Sequence, residues 1–171
     1  MGTNAVQKDA TARAVSANVQ RLRKAQNLGL RALARKLEDV GRPMLHSAVD
    51  QIERGTRRVD VDDLVALAAA LQVSPATLLM PESALDASFG QSRVLVEWAD
   101  KAEPVPADWL WGWITAQHAL DPENQLAFAG RALPRFRQEI LLNEMAQVQK
   151  HFQEYVHNRQ AEQEGAADGD D

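Results

Sequence analysis

The segment QIERGTRRVDVDDLVALAAAL, residues 51–71, is the most informative part of the first half of the chain. Within it, Gly55 interrupts one helical pattern, and Asp60 stands where the N-cap of a second helix is expected. Asp62 and Asp63 follow in the first turn, where the helix dipole favours carboxylates, so all three acids are interpreted as capping residues rather than metal ligands. The segment therefore predicts the end of one helix, a glycine turn carrying two arginines, and the start of another helix.

Apolar residues at helical spacing predict five helices between residues 11 and 81. The third is short because it ends at Gly55, and the fourth begins after Asp60. Ser74 followed by Pro75 is typical of the cap and first position of the fifth helix, and Pro81 ends it. The apolar stripes of the first four helices are Val15, Val19 and Leu22; Leu30, Leu33, Ala34 and Leu37; Ala48, Val49 and Ile52; and Leu64, Val65, Leu67, Ala68 and Leu71.

The predicted fold class is all-α, because Ala, Leu, Arg and Gln are abundant while Tyr and β-branched residues are scarce. In the second half, RVLVEW (residues 93–98) fits a short strand or a helical turn, and so short a segment does not separate the two. The chain is predicted to divide into a flexible tail (1–10), a five-helix domain (11–81), a linker (82–105), a carboxy-terminal helical region (106–160) and a disordered acidic tail (161–171).

The composition is that of a globular protein, with 45% hydrophobic and 25% charged residues. The chain has no cysteine, which excludes disulfides and thiolate zinc sites and is expected of a protein in a reducing cytoplasm. It shows neither the apolar core of a signal peptide nor a run of about 18 apolar residues, so export and membrane spanning are not expected. These features predict a cytoplasmic location.

The net charge of −5 conceals an uneven distribution of charge. Residues 1–60 contain 12 Lys and Arg against 6 Asp and Glu, whereas residues 61–171 contain 7 against 18. A basic amino-terminal part on an acidic protein favours a local surface for a polyanion, although a merely solvated basic helix face gives the same counts.

Two segments carry a resemblance to a known family: NVQRLRKAQNLGLRALARKL (18–37) and VDQIERGTRRVDVDDLVALAAALQVSPATLL (49–79). Together they resemble the Cro/repressor (XRE) family of helix-turn-helix regulators over roughly residues 17–80. The resemblance implies a DNA-binding domain whose third helix enters the major groove of double-stranded DNA. The connection between the second and third helices is longer than in the family's compact form, which leaves the start of helix three open. The form of this connection that contains the sequence GRP resembles that of regulators common in actinobacteria and their phages.

The resemblance also implies which residues meet DNA, with Ile52 as core anchor, Glu53 as a structural acceptor and Gly55 as the turn. The positions that contact base edges are then His46, Ser47, Ala48 and Gln51, and those that contact phosphates are Arg31, Arg42, Arg57 and Arg58. Gln can bond bidentately to adenine, and the arginine fork suits phosphate. For each arginine taken singly, a solvated surface side chain is as good an interpretation as a phosphate contact. Asp50 either accepts from cytosine or faces a neighbouring helix.

Other site chemistry is sparse. His151 and His157 are six residues apart on a predicted helix and point in different directions, so they cannot share a metal. No catalytic triad, phosphate-binding loop or dinucleotide motif is present, so we expect no metal, no cofactor and no enzymatic activity. Trp109 and Trp113 share a helical face and are predicted to lie in a core, with Trp111 on another face.

The last predicted helix carries a heptad seam of two repeats. Its members are Leu141, Met145, Val148, Phe152 and Tyr155. Two repeats are fewer than a firm coiled-coil prediction needs, so the seam fits either a dimer contact or packing on the tryptophan helices. The sequence as a whole predicts a sequence-specific transcriptional regulator, a repressor that is a homodimer. The alternative is a protein-interaction module, an antitoxin or adaptor, whose carboxy-terminal region grips a protein partner.

Overall fold

The computed structural model describes residues 10–85, 93–98 and 101–167. The chain forms two compact units, the first ending at Leu120 and the second beginning at Asp121. Residues 1–9 of the predicted flexible tail and residues 168–171 of the predicted acidic tail lie outside the described residues.

The described residues of the first unit form seven helices and one antiparallel hairpin. These elements are α1 (Ala10–Ala25), α2 (Leu30–Asp39), α3 (His46–Glu53), α4 (Val61–Ala70), α5 (Pro75–Leu79), α6 (Glu82–Leu85), β1 (Arg93–Trp98), β2 (Lys101–Pro106) and α7 (Ala107–Ile114). The first five helices are those that the apolar stripes predict, and a mostly helical fold is confirmed. The start of helix three, left open by the sequence, lies at His46.

A Schellman motif ends α2. Gly41 has a φ of 82°, in the left-handed region that a residue with a Cβ rarely adopts. Its N–H donates to the carbonyl of Glu38 at 2.9 Å, and the N–H of Arg42 donates to the carbonyl of Leu37 at 2.8 Å. The paired bonds satisfy carbonyls that the helix end would leave open, and they place Arg42 just outside the helix.

The same motif ends α3. Gly55 has a φ of 61°, and its N–H donates to the carbonyl of Ile52 at 2.8 Å. The N–H of Thr56 donates to the carbonyl of Gln51 at 2.8 Å. The glycine turn predicted at this position is therefore built from the backbone of α3, and it directs the following arginines away from the helix axis.

Helices α1 to α5 share one apolar core. Its buried members are Val15, Val19, Leu33, Leu37, Val49, Ile52, Ala66, Leu67, Ala68, Ala70, Leu71 and Leu78. Val65, predicted to face this core, is instead exposed. The buried face of α4 runs through Asp63, Ala66, Leu67 and Ala70, at spacings of three and four residues, which turns Val65 outward.

A buried amide joins α1 to the end of α5. The Asn18 side chain is fully buried, and the two N–H groups of its Nδ2 are shared among the carbonyls of Thr77, Leu78 and Met80, which lie 3.2, 3.1 and 2.6 Å from that nitrogen. The last carbonyls of a helix lack partners within the helix and require them elsewhere when they are buried. Asn18 therefore satisfies the carboxyl end of α5 and fixes its position on α1.

An antiparallel hairpin occupies much of the segment that was predicted to be a linker. Strands β1 and β2 pair from Arg93 with Pro106 to Trp98 with Lys101. The sequence left RVLVEW open between strand and helical turn, and the structure makes it a strand. Among the described residues, this hairpin is the part of the fold that the all-α prediction missed.

A second apolar cluster extends the first unit beyond Pro81. Its buried residues are Met80, Ala84, Val94, Ala107 and Leu110. Because Met80 closes the five-helix domain yet is buried against the hairpin and α7, the compact unit continues to Leu120. The domain boundary that the sequence predicted at residue 81 thus falls inside a packed region.

The tryptophans of α7 agree with the prediction for Trp113 but not for Trp109 and Trp111. Trp111 and Trp113 pack against the second cluster, whereas Trp109 stacks on His118 with ring centroids 3.8 Å apart. The buried face of α7 is set by Ala107 and Leu110, and Trp109 lies away from it. The indole N–H of Trp109 donates to a backbone carbonyl at 3.3 Å.

The second unit is helical throughout its described residues. A 3-10 turn (Pro122–Asn124) leads into α8 (Gln125–Ala132), and α9 (Arg135–Ala167) follows. The long helix was predicted from residue 134 to 160, and residues 161–171 were predicted to be disordered. The structure continues the helix to Ala167, and the Ala, Glu and Gln residues of that extension are good helix formers.

Candidate nucleic-acid interface

The outer face of α3 is polar and open to solvent. His46, Ser47 and Gln51, three of the predicted base contacts, are exposed, and Ala48 is half-buried. Buried side chains at Val49 and Ile52 hold the opposite face of α3 against the core. The structure thus brings the four predicted base contacts together on the accessible side of one short helix.

Both α2 and α3 begin without a side-chain cap from any residue that the structure describes. Their N-cap residues are Gly29 and Leu45, and neither first turn contains an acid. By contrast, Asp60 caps α4 by accepting from the N–H of Asp63, and Ser74 caps α5. The first-turn N–H groups of α2 and α3 therefore have no side-chain acceptor, although that of Ala48 donates to the carbonyl of Leu45 at 2.9 Å, and the helix dipole favours an anion there.

Two of the predicted phosphate contacts are exposed arginines. Arg31 lies in the first turn of α2, and Arg58 lies beyond the turn that ends α3. Neither forms an ion pair with any residue in the described part of the chain. Their guanidinium groups are free to meet an anion at either side of α3.

The other two predicted phosphate contacts meet at a buried carboxylate. Asp63 is 1% exposed, and its Oδ1 accepts from Nε of Arg42 while its Oδ2 accepts from Nη2 of Arg57, both at 2.9 Å. Nη2 of Arg42 also donates to Asp60 at 3.1 Å. Arg42 and Arg57 are therefore held by the protein itself, one from the turn before α3 and one from the turn after it.

The ion pair with Asp63 favours the protonated form of Arg42. The hydrogen bond to that carboxylate raises the pKa of Arg42 above its ordinary value and outweighs the lowering caused by burial. Both arginine side chains remain about one-third exposed. Asp63 thus fixes one arginine in the turn before α3 and one in the turn after it.

Asp63 has a larger role than the capping function that the sequence suggested. The sequence signal for this role is that Asp63 lies on the same face of α4 as the buried Ala66, Leu67 and Ala70. A buried acid on an apolar face requires a cationic or hydrogen-bonding partner.

The predicted structural role of Glu53 agrees with the contacts observed. Its carboxylate accepts two hydrogen bonds from Arg23 of α1, at 2.5 and 2.8 Å, and both side chains are largely buried. The hydrogen bond to Glu53 raises the pKa of Arg23 above its ordinary value. Asp50 pairs with Arg54 one turn later in α3, at 3.1 Å. The acids of α3 are thus neutralised within the protein.

The predicted dimer seam lies on α9. Met145 and Val148 are 52% and 69% exposed, and Leu141 is half-buried. The side chains of Phe152 and Tyr155 lie outside the part that the structure describes. The role of the seam therefore stays a prediction.

The described residues contain neither a candidate metal site nor a candidate membrane-spanning helix. No group of three or more His, Asp or Glu side chains within them could hold a metal ion. None of the helices in those residues is both long and apolar enough to cross a membrane.

Part of this chain is similar to known proteins. A family model described as a helix-turn-helix domain matches residues 14–79. Among solved structures, the crystal structure of a hypothetical transcription factor, NHTF, from Neisseria is similar at 20% identity and a TM-score of 0.39, covering 48% of this chain and 88% of that chain. The search of curated proteins returned no significant match. The family match spans α1 to α5, and residues 14–79 therefore form a helix-turn-helix domain.

Proposed function

We propose that this protein is a cytoplasmic, sequence-specific DNA-binding regulator of the Cro/repressor type that places α3 in the major groove. The observation that carries the proposal is the exposed polar face of α3, flanked by the exposed arginines Arg31 and Arg58. A short helix with polar side chains outward and cations on both sides matches the way such a domain meets DNA.

Base recognition is assigned to the outer face of α3. Gln51 can bond bidentately to N6 and N7 of adenine, and Ser47 and His46 can donate or accept. Ala48, smaller and half-buried, permits close approach of the helix to the base edges. Because Asp50 and Glu53 are already paired with arginines, they add little unbalanced negative charge to this face.

Phosphate contacts are assigned to two kinds of group. Arg31 and Arg58 contribute mobile cations, which strengthen binding to any sequence and make it dependent on salt. The open first turns of α2 and α3 contribute backbone N–H groups, which position the domain on the duplex. Arg42 and Arg57, whose charges are balanced by Asp60 and Asp63, support the turns that carry α3.

We further propose that the protein represses transcription as a homodimer, by occupying an operator that polymerase needs. A single domain of this size contacts few base pairs, so specificity at a genomic scale favours two copies on two half-sites. The exposed apolar side chains of Met145 and Val148 support α9 as the contact between copies.

The test is selection of bound DNA from a random-sequence library with the full chain. We expect enrichment of an inverted repeat whose half-sites lie about one helical turn apart, or a multiple of that distance. The variant with Ser47→Ala and Gln51→Ala should recover no such motif while it retains salt-sensitive binding to random DNA. Failure of the wild-type chain to enrich any sequence would exclude the proposal.

The second candidate function is an antitoxin or adaptor that holds another protein. The exposed apolar residues Leu126 of α8 and Phe136 of α9 favour it, since such side chains are common in protein contacts. It differs from the first candidate in one measurable way: a partner protein encoded next to this gene would bind the isolated full chain, and DNA selection would return no motif.

A further inference from the structure

Leu45 is an exposed apolar side chain at the start of α3. It is the N-cap residue of the helix, and its side chain is 74% exposed. Its carbonyl accepts from the N–H groups of Ala48 and Val49 at 2.9 and 3.2 Å, so its backbone is fixed by the first turn. The sequence analysis did not include Leu45 among the base contacts, because the start of helix three was open. A large apolar group is thus presented to solvent directly before His46.

Leu45 lies in an open groove between α2 and the start of α3. The groove has a volume of about 420 Å³, and Pro43 and Met44 continue its apolar surface. Arg31 and Arg35 line the side formed by α2, where Glu38 is the acid of the groove. An apolar surface beside two arginines matches a ligand that is anionic at its edge and carries an apolar group at its centre.

We propose that Leu45 contacts the 5-methyl group of a thymine in the major groove and thereby specifies a T·A pair next to the bases met by His46 and Ser47. The thymine methyl is an apolar group that a natural base pair presents in that groove. The phosphates that flank it would face the arginines of the groove, whereas an apolar protein surface would leave those arginines without partners. This inference rests on the proposed function, since it requires that α3 enter the major groove.

The experiment removes one methyl group at a time from DNA. An operator obtained by selection is resynthesised with a single thymine replaced by deoxyuridine, position by position, and Kd is measured for the wild-type full chain and for Leu45→Ala. For the wild type we expect one position in each half-site at which deoxyuridine weakens binding about fourfold, the value for burial of one methyl-sized group. For Leu45→Ala we expect the unmodified operator and the operator with deoxyuridine at that position to bind equally.

Two controls accompany this measurement. Val61→Ala truncates another strongly exposed apolar side chain, at the start of α4, and should retain the wild-type response to deoxyuridine. Equal melting temperatures of Leu45→Ala and the wild type would show that the groove variant is folded.

The outcomes separate this inference from the proposed function. If the wild type selects an operator but responds to deoxyuridine at no position, the role of Leu45 is refuted while DNA binding stands. The same conclusion follows if Leu45→Ala keeps the full wild-type response. If the wild type selects no operator at all, the proposed function fails first and this inference falls with it.

Discussion

Nη2 of Arg57 donates to Oδ2 of Asp63 at 2.9 Å, joining the turn after α3 to the first turn of α4. The other oxygen of the same carboxylate accepts from Arg42, in the turn before α3. One buried acid therefore holds the chain on both sides of the helix that we assign to base recognition. The arginines gain a fixed position, and Asp63 gains the counter-charges that its burial requires.

Removing the charge of Asp63 should loosen both turns. We expect Asp63→Asn to lower the free energy of unfolding by about 1.5–3 kcal/mol, because two charge-assisted hydrogen bonds are weakened in a buried position. Urea denaturation measures the change. Asp62→Asn is the matched control: it removes an exposed acid from the same turn and should cost at most about 1 kcal/mol. Equal losses from the two variants would mean that Asp63 acts only through the helix dipole.

Arg58 should act on DNA binding without acting on stability. Arg58→Ala is expected to reduce the slope of log K against log salt concentration by about 0.9, the value for one lost phosphate contact, on specific and random DNA alike. Fluorescence anisotropy over a salt series gives the slope. The control is Arg137→Ala, an exposed arginine of α9, for which we expect an unchanged slope. An unaltered slope for Arg58→Ala would remove it from the interface.

Gln51 should determine a base rather than overall affinity. We expect Gln51→Ala to relax the preference at one base position by about 1–3 kcal/mol, the value of a bidentate contact to adenine. Competition between the operator and its single-base variants measures this preference. Gln149→Ala makes the same truncation on the exposed surface of α9 and should change no preference. If Gln51→Ala weakens operator and random DNA equally, Gln51 does not contact a base.

Asn18 should stabilise the five-helix domain through the hydrogen bonds of its buried amide. Asn18→Ala leaves the carbonyls of Leu78 and Met80 without their amide donor in a buried position, and we expect a loss of about 1–3 kcal/mol. Thermal or urea unfolding followed by circular dichroism measures it. Lys24→Ala truncates an exposed residue of α1 and should change stability by about 0.5 kcal/mol or less. A loss no larger than that of Lys24→Ala would contradict the assigned role.

The seam on α9 should be required for dimerisation. Changing Val148 and Phe152 to Glu places two charges on it, and we expect folded monomers in sedimentation and weaker operator binding. The matched control changes Gln149 and Gln153 to Glu, which adds the same charges at the same spacing on a neighbouring, exposed face. A double variant of the seam that remains dimeric would refute the proposal. A strongly lowered melting temperature would show that the seam fills a core instead.

The sequence predicts α1 to α5 well because their apolar residues repeat at helical spacing and their ends carry glycine, proline or a capping acid. It also contained signals that the interpretation did not use. Asn18 and Asp63 both lie on the apolar stripes of their helices, and a polar residue at such a position must find buried partners. Those partners, the carbonyls after α5 and the arginines around α3, come from distant segments, so no local pattern identifies them.

Other features could not be obtained from local periodicity. The hairpin depends on pairing between residues 93–98 and 101–106, and six residues of RVLVEW are compatible with strand or helix until that pairing is known. Likewise, exposure of Leu45 depends on where α3 begins, which the long connection between α2 and α3 left open. The same uncertainty concealed the groove in which we place a thymine methyl.

The two glycine turns and the shared carboxylate have a consequence for how such a protein can change. The segment between Arg42 and Arg57 is held at both ends by the two glycine turns and by the contacts of these arginines with Asp63. None of these contacts uses an exposed side chain of α3. The exposed positions among residues 43–51 can therefore vary in chemistry while these end contacts stay the same, provided that Met44, Val49 and the following Ile52 still pack in the core. Evolution or protein engineering could therefore replace the exposed residues of this segment and change the operator preference, while the rest of the domain stays the same.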